Sequence, residues 1–494
     1  MNYLRVPNQI TLDEIRTKDS SLSAGMYRRV VIPTSTVKRV SDLLDSNHPF
    51  EKGVEPGSLW YMKRSTHHFI RTKALQDYSS LLYPKGGAIV PINPRAFENP
   101  ELQDGDILMS KDSNVGECAI IDGDQLKNHM FSGGIVRLHP TCDRHYFFSF
   151  LKHPLFKTQL LAMLARGATI THAKTIWLDC LIPFPNQENS EHVIKYVSIL
   201  MQAIVEKEKS LRARHEAIHE LIGDELANSQ SHQQNYSYPT ITDIRDTSRL
   251  DTGLYCREFQ TFKKRTENYK HGVLTLSALG VKSRRGPNLA VSVIGKSLYS
   301  DTPKSGWYAL IRPTNITDYG TLTSIEYLGN RKRLPTVNKG EIIFGCEATW
   351  RSLVLVDGID RCTTNFHGTV LYWDGAPLES VIWLRCLLEY LRQENILRYI
   401  AVGGQGGHLS PEYFDYIPIP KFPEGKQVNI ARLYHNPTSP PEDKPTLDTF
   451  VDWHRSWNEN LGIWELNREM KSLQHTLADV QEKIIEGKTV QVPL

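Results

Sequence analysis

The stretch IRTKALQDY at residues 70–78 returns as IRPTNITDY at 311–319. The blocks around it return as well. Upstream, LSAGMY at 22–27 answers LDTGLY at 250–255. Downstream, GDILM at 105–109 leads into an apolar run ending at Asp122, and GEIIF at 340–344 leads into one ending at Asp357. IPFP at 182–185 answers IPIP at 417–420. The order holds while the spacing drifts, from Tyr27–Tyr255 through Arg71–Arg312 to Pro183–Pro418. One such match arises by chance; a series in the same order does not. Matched blocks with variable spacing describe one scaffold used twice, with loops of different length. The period is too long for a solenoid and fits two copies of one domain.

Each copy reads as mixed α/β. Short apolar strands, DILMS and ECAIID in the first copy and EIIFG and SLVLVD in the second, precede a helical stretch near 145–165 and near 378–399. A Gly-rich turn follows, RGATITH at 166–172 and GGQGGHLS at 403–410. The second turn lacks the Lys-Ser/Thr of a phosphate loop, so its Gly403, Gly404, Gly406 and Gly407 are expected in a tight turn. Each copy closes on I-P-x-P. Proline removes a ladder donor, which places that strand at an edge or an exit.

After each I-P-x-P the period changes. From about Glu188 to Leu226, Val197, Ile204, Leu211 and Ile218 recur at every seventh residue. Leu200 and Leu221 hold companion positions, with Lys207 and Arg214 between them, so the seam is imperfect. From about Thr446 to Glu486, Ile463, Met470, Leu477 and Ile484 form one series and Leu466, Leu473 and Val480 the other. Sustained a/d spacing predicts a coiled-coil seam. A helix of this length spans roughly 60 Å at about 1.5 Å per residue and cannot bury its stripe in one small domain, whereas two such helices can bury each other.

The expected fold is therefore α+β: two duplicated mixed α/β domains separated by two long antiparallel coiled-coil helices. The expected parts are an N-terminal extension at 1–21, a first domain at 22–187, a central helix at 188–228 and a linker at 229–245, within the polar stretch ANSQSHQQNYSYP and beyond. A second domain follows at 246–434, then a Pro-rich break and C-terminal helix at 435–487 and a tail at 488–494.

Composition narrows the class. Of 494 residues, 40% are hydrophobic and 23% charged, as in an ordinary globular protein. Lys and Arg number 58 against 55 Asp and Glu, a net charge of +3. A chain so balanced binds nucleic acid only if its cations gather on one surface. The 7 cysteines form no C-x-x-C pair, which argues against a disulfide framework or zinc site and suits a reducing compartment. The start, MNYLRVPNQITLDEI, lacks the apolar core of a signal peptide, and no run approaches a membrane span. A cytoplasmic protein without a membrane partner is expected.

The order domain, helix, domain, helix, with S-A-G-M-Y and D-T-G-L-Y opening the copies and I-P-x-P before each helix, resembles the specificity subunits of type I restriction–modification systems. The resemblance covers about residues 22–487 and is fullest from TSRLDTGLY at 247–255 to GGQGGHLSPEYFDYIPIP at 403–420. The first copy departs from it: Ser23 stands where the second has Asp251, and its Gly-rich turn is thinner. The resemblance implies that each domain reads one half of a split target in double-stranded DNA and that the helices fix the distance between readers. It also implies that the helices dock two adenine methyltransferase (M) subunits and, in some systems, a restriction or translocase subunit. No catalytic residue, metal or cofactor is expected. The chain has no N/D-P-P-Y/F motif of an adenine methyltransferase and no acid–lysine set of a nuclease. The alternative from another class is a protein-interaction scaffold of a defence complex that reads no sequence.

A DNA reader needs phosphate contacts for affinity and base contacts for specificity; Arg suits guanine, and Asn suits adenine. In the second domain KSRRGPN offers Lys282, Arg284, Arg285 and Asn288 in an expected Gly/Pro turn, and GNRKRLP offers Asn330, Arg331, Lys332 and Arg333 in another. The first domain offers Lys38 and Arg39, then Lys63 and Arg64 within WYMKRSTHH. Arg71 and Arg312 share a repeat position, suited to a structural ion pair or a phosphate contact. Trp60, Tyr61 and Trp307 are candidates to pack on sugar or a displaced base, His67 and His68 read as an edge strand, and Trp453, Trp457 and Trp464 read as packing residues. Each basic run has a bland reading too, as a solvated loop.

Overall fold

The computed structural model describes residues 3–17, 20, 22, 27–84, 86–123, 126–164, 173–228, 238–347, 349–403 and 407–493. Residues 23–26 of the first repeat block, the turn RGATITH, the linker residues 229–237, and Gly404 and Gly406 lie outside these. The chain divides into two compact units. The first is Met1–Lys209 with Pro440–Glu459 and Arg468–Leu494; the second is Ser210–Ser439 with Asn460–Asn467.

In the first unit, besides the short antiparallel pair Leu4–Arg5 and Arg29–Val30, the strands are β1 (Val37–Arg39), β2 (Phe50–Lys52), β3 (His67–Ile70), β4 (Ile89–Ile92), β5 (Ile107–Ser110), β6 (Cys118–Ile120), β7 (His129–Phe131), β8 (Ile135–Leu138) and β9 (Leu181–Pro183). The labelled strands form an antiparallel sheet in the order β2-β8-β5-β6, a second sheet β4-β3-β7 and the ribbon β1-β9. Strand β3 runs antiparallel to β4 and parallel to β7. Strands β5 and β6 are buried on both faces, so they read as continuous apolar runs rather than alternating ones. Helix α1 (Arg144–Lys152) belongs to the same core, burying Tyr146, Phe147, Phe148, Phe150 and Leu151, and α2 (Pro154–Met163) follows.

The second unit repeats this plan. Its strands are β10 (Val273–Leu274), β11 (Val281–Arg285), β12 (Leu298–Ser300), β13 (Tyr308–Leu310), β14 (Glu326–Gly329), β15 (Ile342–Gly345), β16 (Ser352–Val354), β17 (Cys362–Thr363), β18 (Gly368–Trp373) and β19 (Ile419–Pro420). The sheets run β11-β18-β15-β16 and β12-β14-β13-β17, with the ribbon β10-β19. Again the inner strand β13 is parallel to β17 and antiparallel to β14. The ladders refine the repeat. Pro183 lies opposite Val37, and Pro420 lies opposite Val273. The first I-P therefore answers Ile419–Pro420, two residues beyond the match that IPFP and IPIP suggest. A two-residue step keeps every side chain on its face, so the motif alone does not reveal it.

A cation that donates to backbone carbonyls also recurs. Lys152 closes α1, and its Nζ donates to the carbonyls of Gln76 at 2.7 Å, Ser79 at 2.8 Å and Cys118 at 3.3 Å. In the second unit Arg385 on α4 (Leu378–Gln393) donates from Nε to the Ser352 carbonyl at 3.0 Å, and its guanidinium lies 4.8 Å from the Tyr434 ring. Cys118 and Ser352 open the matching strands β6 and β16. The Arg385 guanidinium occupies the space a Cβ on Gly320 would need, and Gly320 has φ +73°, so only glycine fits there.

The first long helix is α3 (Ser190–Asn228). The stretch expected as one helix from 446 to 486 is two: α6 (Phe450–Asn458) and α7 (Ile463–Ile485). An unforeseen helix, α5 (Glu424–Tyr434), precedes the Pro-rich segment. The division has a cause within the second unit. A Cβ on Gly462 would lie 2.7 Å from the backbone at Tyr434 and His435. The Asn460 carbonyl accepts from Asn436 at 2.5 Å and Thr438 at 3.1 Å, so it is spent outside a helix.

The two polar interruptions of the α3 seam answer polar groups around this break. In the first unit Lys207 is fully buried, donates to Asn458 Oδ1 at 2.8 Å and lies 4.9 Å from the Trp457 ring. Burial pulls its pKa down to about 8 against the opposing pull of Glu469. In the second unit Arg214 Nε donates to the Leu461 carbonyl at 3.4 Å. Helix α7 runs antiparallel to α3. In the first unit the Gln187 side chain exchanges bonds of 3.0 and 2.8 Å with the Val490 backbone, while Lys207 feels Glu469. Val197 and Ile204 share one apolar core with Leu477, Val480 and Ile484, and half-buried Met470 and Leu473 pack on it. In the second unit Leu211, Ile218, Ile463 and Leu466 are buried. The three tryptophans pack within their own units: Trp453 Nε1 donates to the Asp443 carbonyl at 2.6 Å, Trp457 meets Lys207, and Trp464 Nε1 donates to Asp357 at 2.7 Å.

Candidate nucleic-acid interface

The cations singled out from sequence separate by what already neutralises them. Several serve the scaffold. Lys282, Arg284 and Arg285 lie not in a turn but along the edge strand β11. The turn begins only at Gly286, where a Cβ would meet the Asn365 carbonyl at 2.1 Å. Arg284 pairs with Glu341 and donates to the Thr336 carbonyl at 3.0 Å. Arg312 holds Glu326 with two bonds of 3.0 and 2.6 Å. Its repeat partner Arg71 has no such acid among the described residues. Opposite their ladders Val90 stands where Glu326 stands, and Arg71 reaches only the Gly87 carbonyl at 3.3 Å. Lys282 pairs with Asp374 at 2.9 Å on the surface, and that bond holds its pKa above the usual lysine value. Arg39 faces Asp179 at 3.7 Å, and Lys38 sits 5.0 Å from the Phe184 ring.

The two asparagines are structural as well. Asn288 Oδ1 accepts from the Ala290 amide at 3.0 Å. Asn330 holds Ser297 at 2.8 Å and the Lys332 amide at 2.7 Å. Trp307 lies over Gly329, where a Cβ would come within 2.5 Å of the indole, so it packs on the neighbouring strand β14. His67 and His68 are in the central strand β3, not an edge. His68 stacks on His129 at 4.8 Å between centroids. Burial, then the neighbouring His68, lowers the pKa of His129 to about 4.

The remaining cations face solvent and, among the described residues, have no carboxylate partner. In the first unit these are Lys63 and Arg64, exposed after the segment Leu59–Met62. In the second unit Arg331, Lys332 and Arg333 rim a cleft of about 490 Å³ whose buried wall includes Tyr308 and Leu334. Lys332 Nζ donates only to the Val293 carbonyl at 2.9 Å. Arg361 joins them, its guanidinium 4.1 Å from the Tyr308 ring. Sequence reasoning missed Arg361. It is a lone arginine between Asp360 and Cys362, and the parallel pairing of β13 with β17 is what carries it there. Arg285 adds a guanidinium 4.0 Å from the half-exposed Phe366 ring. Four positive charges around one cleft with no acid in its wall suit an anion such as phosphate.

Among the described residues no group of three or more His, Cys, Asp or Glu is placed to hold a metal ion, and no helix is long and apolar enough to cross a membrane.

The class defined by this arrangement is an α+β chain of two topologically matched units with long helices packed into them. Among solved structures it is similar to the type I restriction–modification S subunit of M. genitalium, at 13% identity and a TM-score of 0.43, over 92% of this chain and 96% of that one. It is also similar to the HsdS subunit of Thermoanaerobacter tengcongensis, at 13% identity and a TM-score of 0.27, over 92% and 97%. A chain from a structure described for complex assembly and conformational transition of the type I R-M system gives 13% identity and a TM-score of 0.28, over 92% and 98%. No protein-family model and no curated protein matches the chain. At these identities and superpositions the likenesses bear on neither ligand nor partner.

Proposed function

We propose that this chain is a non-catalytic DNA-specificity subunit: each unit reads one half of a bipartite target in double-stranded DNA, and the helices present the complex to adenine methyltransferase subunits. One observation carries the reading. The two units share one strand order, yet the side chains at matching ladder positions differ in chemistry: His67 against Tyr308, His68 against Ala309, His129 against Cys362 and Val90 against Glu326. A common scaffold that carries different side chains, with Lys63 and Arg64 exposed in one unit and Arg331, Lys332 and Arg333 in the other, is what two readers of two different half-sites require, because phosphate contacts position and base contacts specify.

The test is duplex binding by the full chain across a salt series. Changing Arg331, Lys332 and Arg333 together to Ala is expected to weaken binding. The log–log salt slope should fall by about one unit for each phosphate that is no longer neutralised. Arg284→Ala is expected to leave the slope unchanged, because that guanidinium already serves Glu341. No binding at low salt, or equal slopes for the triple variant and the parent, would contradict the proposal.

A further inference from the structure

The same place in both units carries an exposed apolar edge. In the first unit the segment Leu59–Met62 runs along the outer side of β4. Tyr61 bridges Ile92, the Met62 amide donates to the Pro91 carbonyl, and the Asn93 amide donates to the Trp60 carbonyl. Tyr61 leans toward Phe69, its ring centroid 6.0 Å away. Leu59 is left 97% exposed and Trp60 40%. In the second unit β12 takes the corresponding place on β14, where Tyr299 lies opposite Leu328. Ile92 and Leu328 are themselves the partners of the matching residues His67 and Tyr308. Tyr61 and Tyr299 therefore hold the same ladder position. Beside Tyr299, Leu298 is 68% exposed. Leaving large apolar side chains in water forgoes the stabilisation their burial would give, and a bare apolar sheet edge invites aggregation. Two copies of one scaffold both carry this liability.

The surroundings say what covers it. Lys63 and Arg64 follow the first edge directly and have no acidic partner among the described residues. The second edge begins beside the Arg331–Arg333 turn, to which it is tied through Asn330 and Ser297. An apolar protrusion flanked by unneutralised cations is complementary to a polyanion with an apolar interior. We infer that Leu59 with Trp60, and Leu298 with Tyr299, are wedges that insert between base steps of duplex DNA while the adjacent cations hold the flanking phosphates. Apolar side chains used this way partly unstack a step and kink the duplex by about 20–90°. The inference rests on the DNA-reading proposal and deepens it: specificity would include the cost of deforming each half-site.

The experiment uses the full chain and a duplex enriched from a random-sequence pool by that chain, labelled at its two ends for energy transfer. Binding of the parent is expected to bend the duplex. Leu59→Ala with Trp60→Ala, surface changes that spare the cores, is expected to remove about half of the bend from complexes that still form. Leu298→Ala with Tyr299→Ala is expected to remove a comparable share. Lys63→Ala with Arg64→Ala is expected to lower affinity while leaving the bend of bound complexes. A bound duplex that stays straight with the parent, or is bent equally by parent and edge variants, overturns the wedges and leaves DNA reading intact. Edge variants that bend DNA as the parent does but no longer co-purify with a co-expressed adenine methyltransferase also overturn the wedges, since the edge then docks protein. Failure of the parent to retain any duplex overturns the DNA reading itself, and the wedges with it.

Discussion

Asp106 in the first unit and Glu341 in the second open matching strands, and both are held by an arginine that comes from a different place. In the first unit it is Arg137 on β8, which lies 3.1 Å from Asp106 and also pairs with Glu51 on β2. In the second unit Val370 takes the place of Arg137 opposite the inner strand, and the arginine is Arg284 on β11, where the first unit has Glu51. The backbone kept its ladders while the charges changed strands. The same comparison separates scaffold cations from open ones: a positive charge already spent on Glu341 or Glu326 cannot also serve a phosphate, however basic the motif around it looks.

The largest expected effect concerns the helices shared by the units. Leu477 is 6% exposed and Ile484 1%, both in the core of the first unit. Changing either to Ala is expected to cost about 2–5 kcal/mol. Denaturant unfolding followed by hydrogen exchange should show the loss in segments of the first unit, with the second retaining its protection. Uniform loss in both would mean that the units do not unfold separately.

Acid should divide the units next. His129 and His153 have pKa values lowered to about 4 and His454 to about 3, each chiefly by burial, and all three are in the first unit. Their folded values lie below the ordinary 6.5. Above pH 6.5 both states are neutral and the contribution to stability is complete. As pH falls from 6.5 toward 4, the unfolded chain takes up protons that the native chain refuses, and stability drops. Hydrogen exchange across this window should show the first unit losing protection before the second. The reverse order would contradict the burial argument.

A smaller effect tests the exchanged arginines directly. Arg137→Val should destabilise the first unit by about 1–3 kcal/mol, because partly buried Asp106 loses its guanidinium partner. Adding Glu51→Arg copies the arrangement of the second unit and should restore most of that loss. Thermal unfolding of the single and double variants measures both steps, and additive losses would show that the two solutions are not interchangeable.

Much of the architecture was legible in the chain. The repeated blocks predict two copies of one α/β plan, and the heptads at Val197–Ile218 and Ile463–Ile484 mark residues that the structure buries or half-buries. Other features were hidden for physical reasons. The break between α6 and α7 depends on Gly462 approaching the backbone at Tyr434 and His435, far away in sequence. KSRRGPN reads as a turn because Gly286 and Pro287 dominate the motif, although the cations precede them on a strand. Lys152 looks like the solvated end of an amphipathic helix and instead satisfies three carbonyls. Which cations are open could not be read locally, since their acids come from other strands.

Whether each unit reads its own half-site can be measured by exchanging one of them. Residues 22–187 are replaced with the matching domain of a second chain of this architecture, the hybrid is co-expressed with an adenine methyltransferase, and the methylated positions of the host genome are sequenced. Independent readers predict that one half of the methylated motif changes while the other half and the spacer between them are kept. Simultaneous change of both halves, or an unchanged motif, would contradict them.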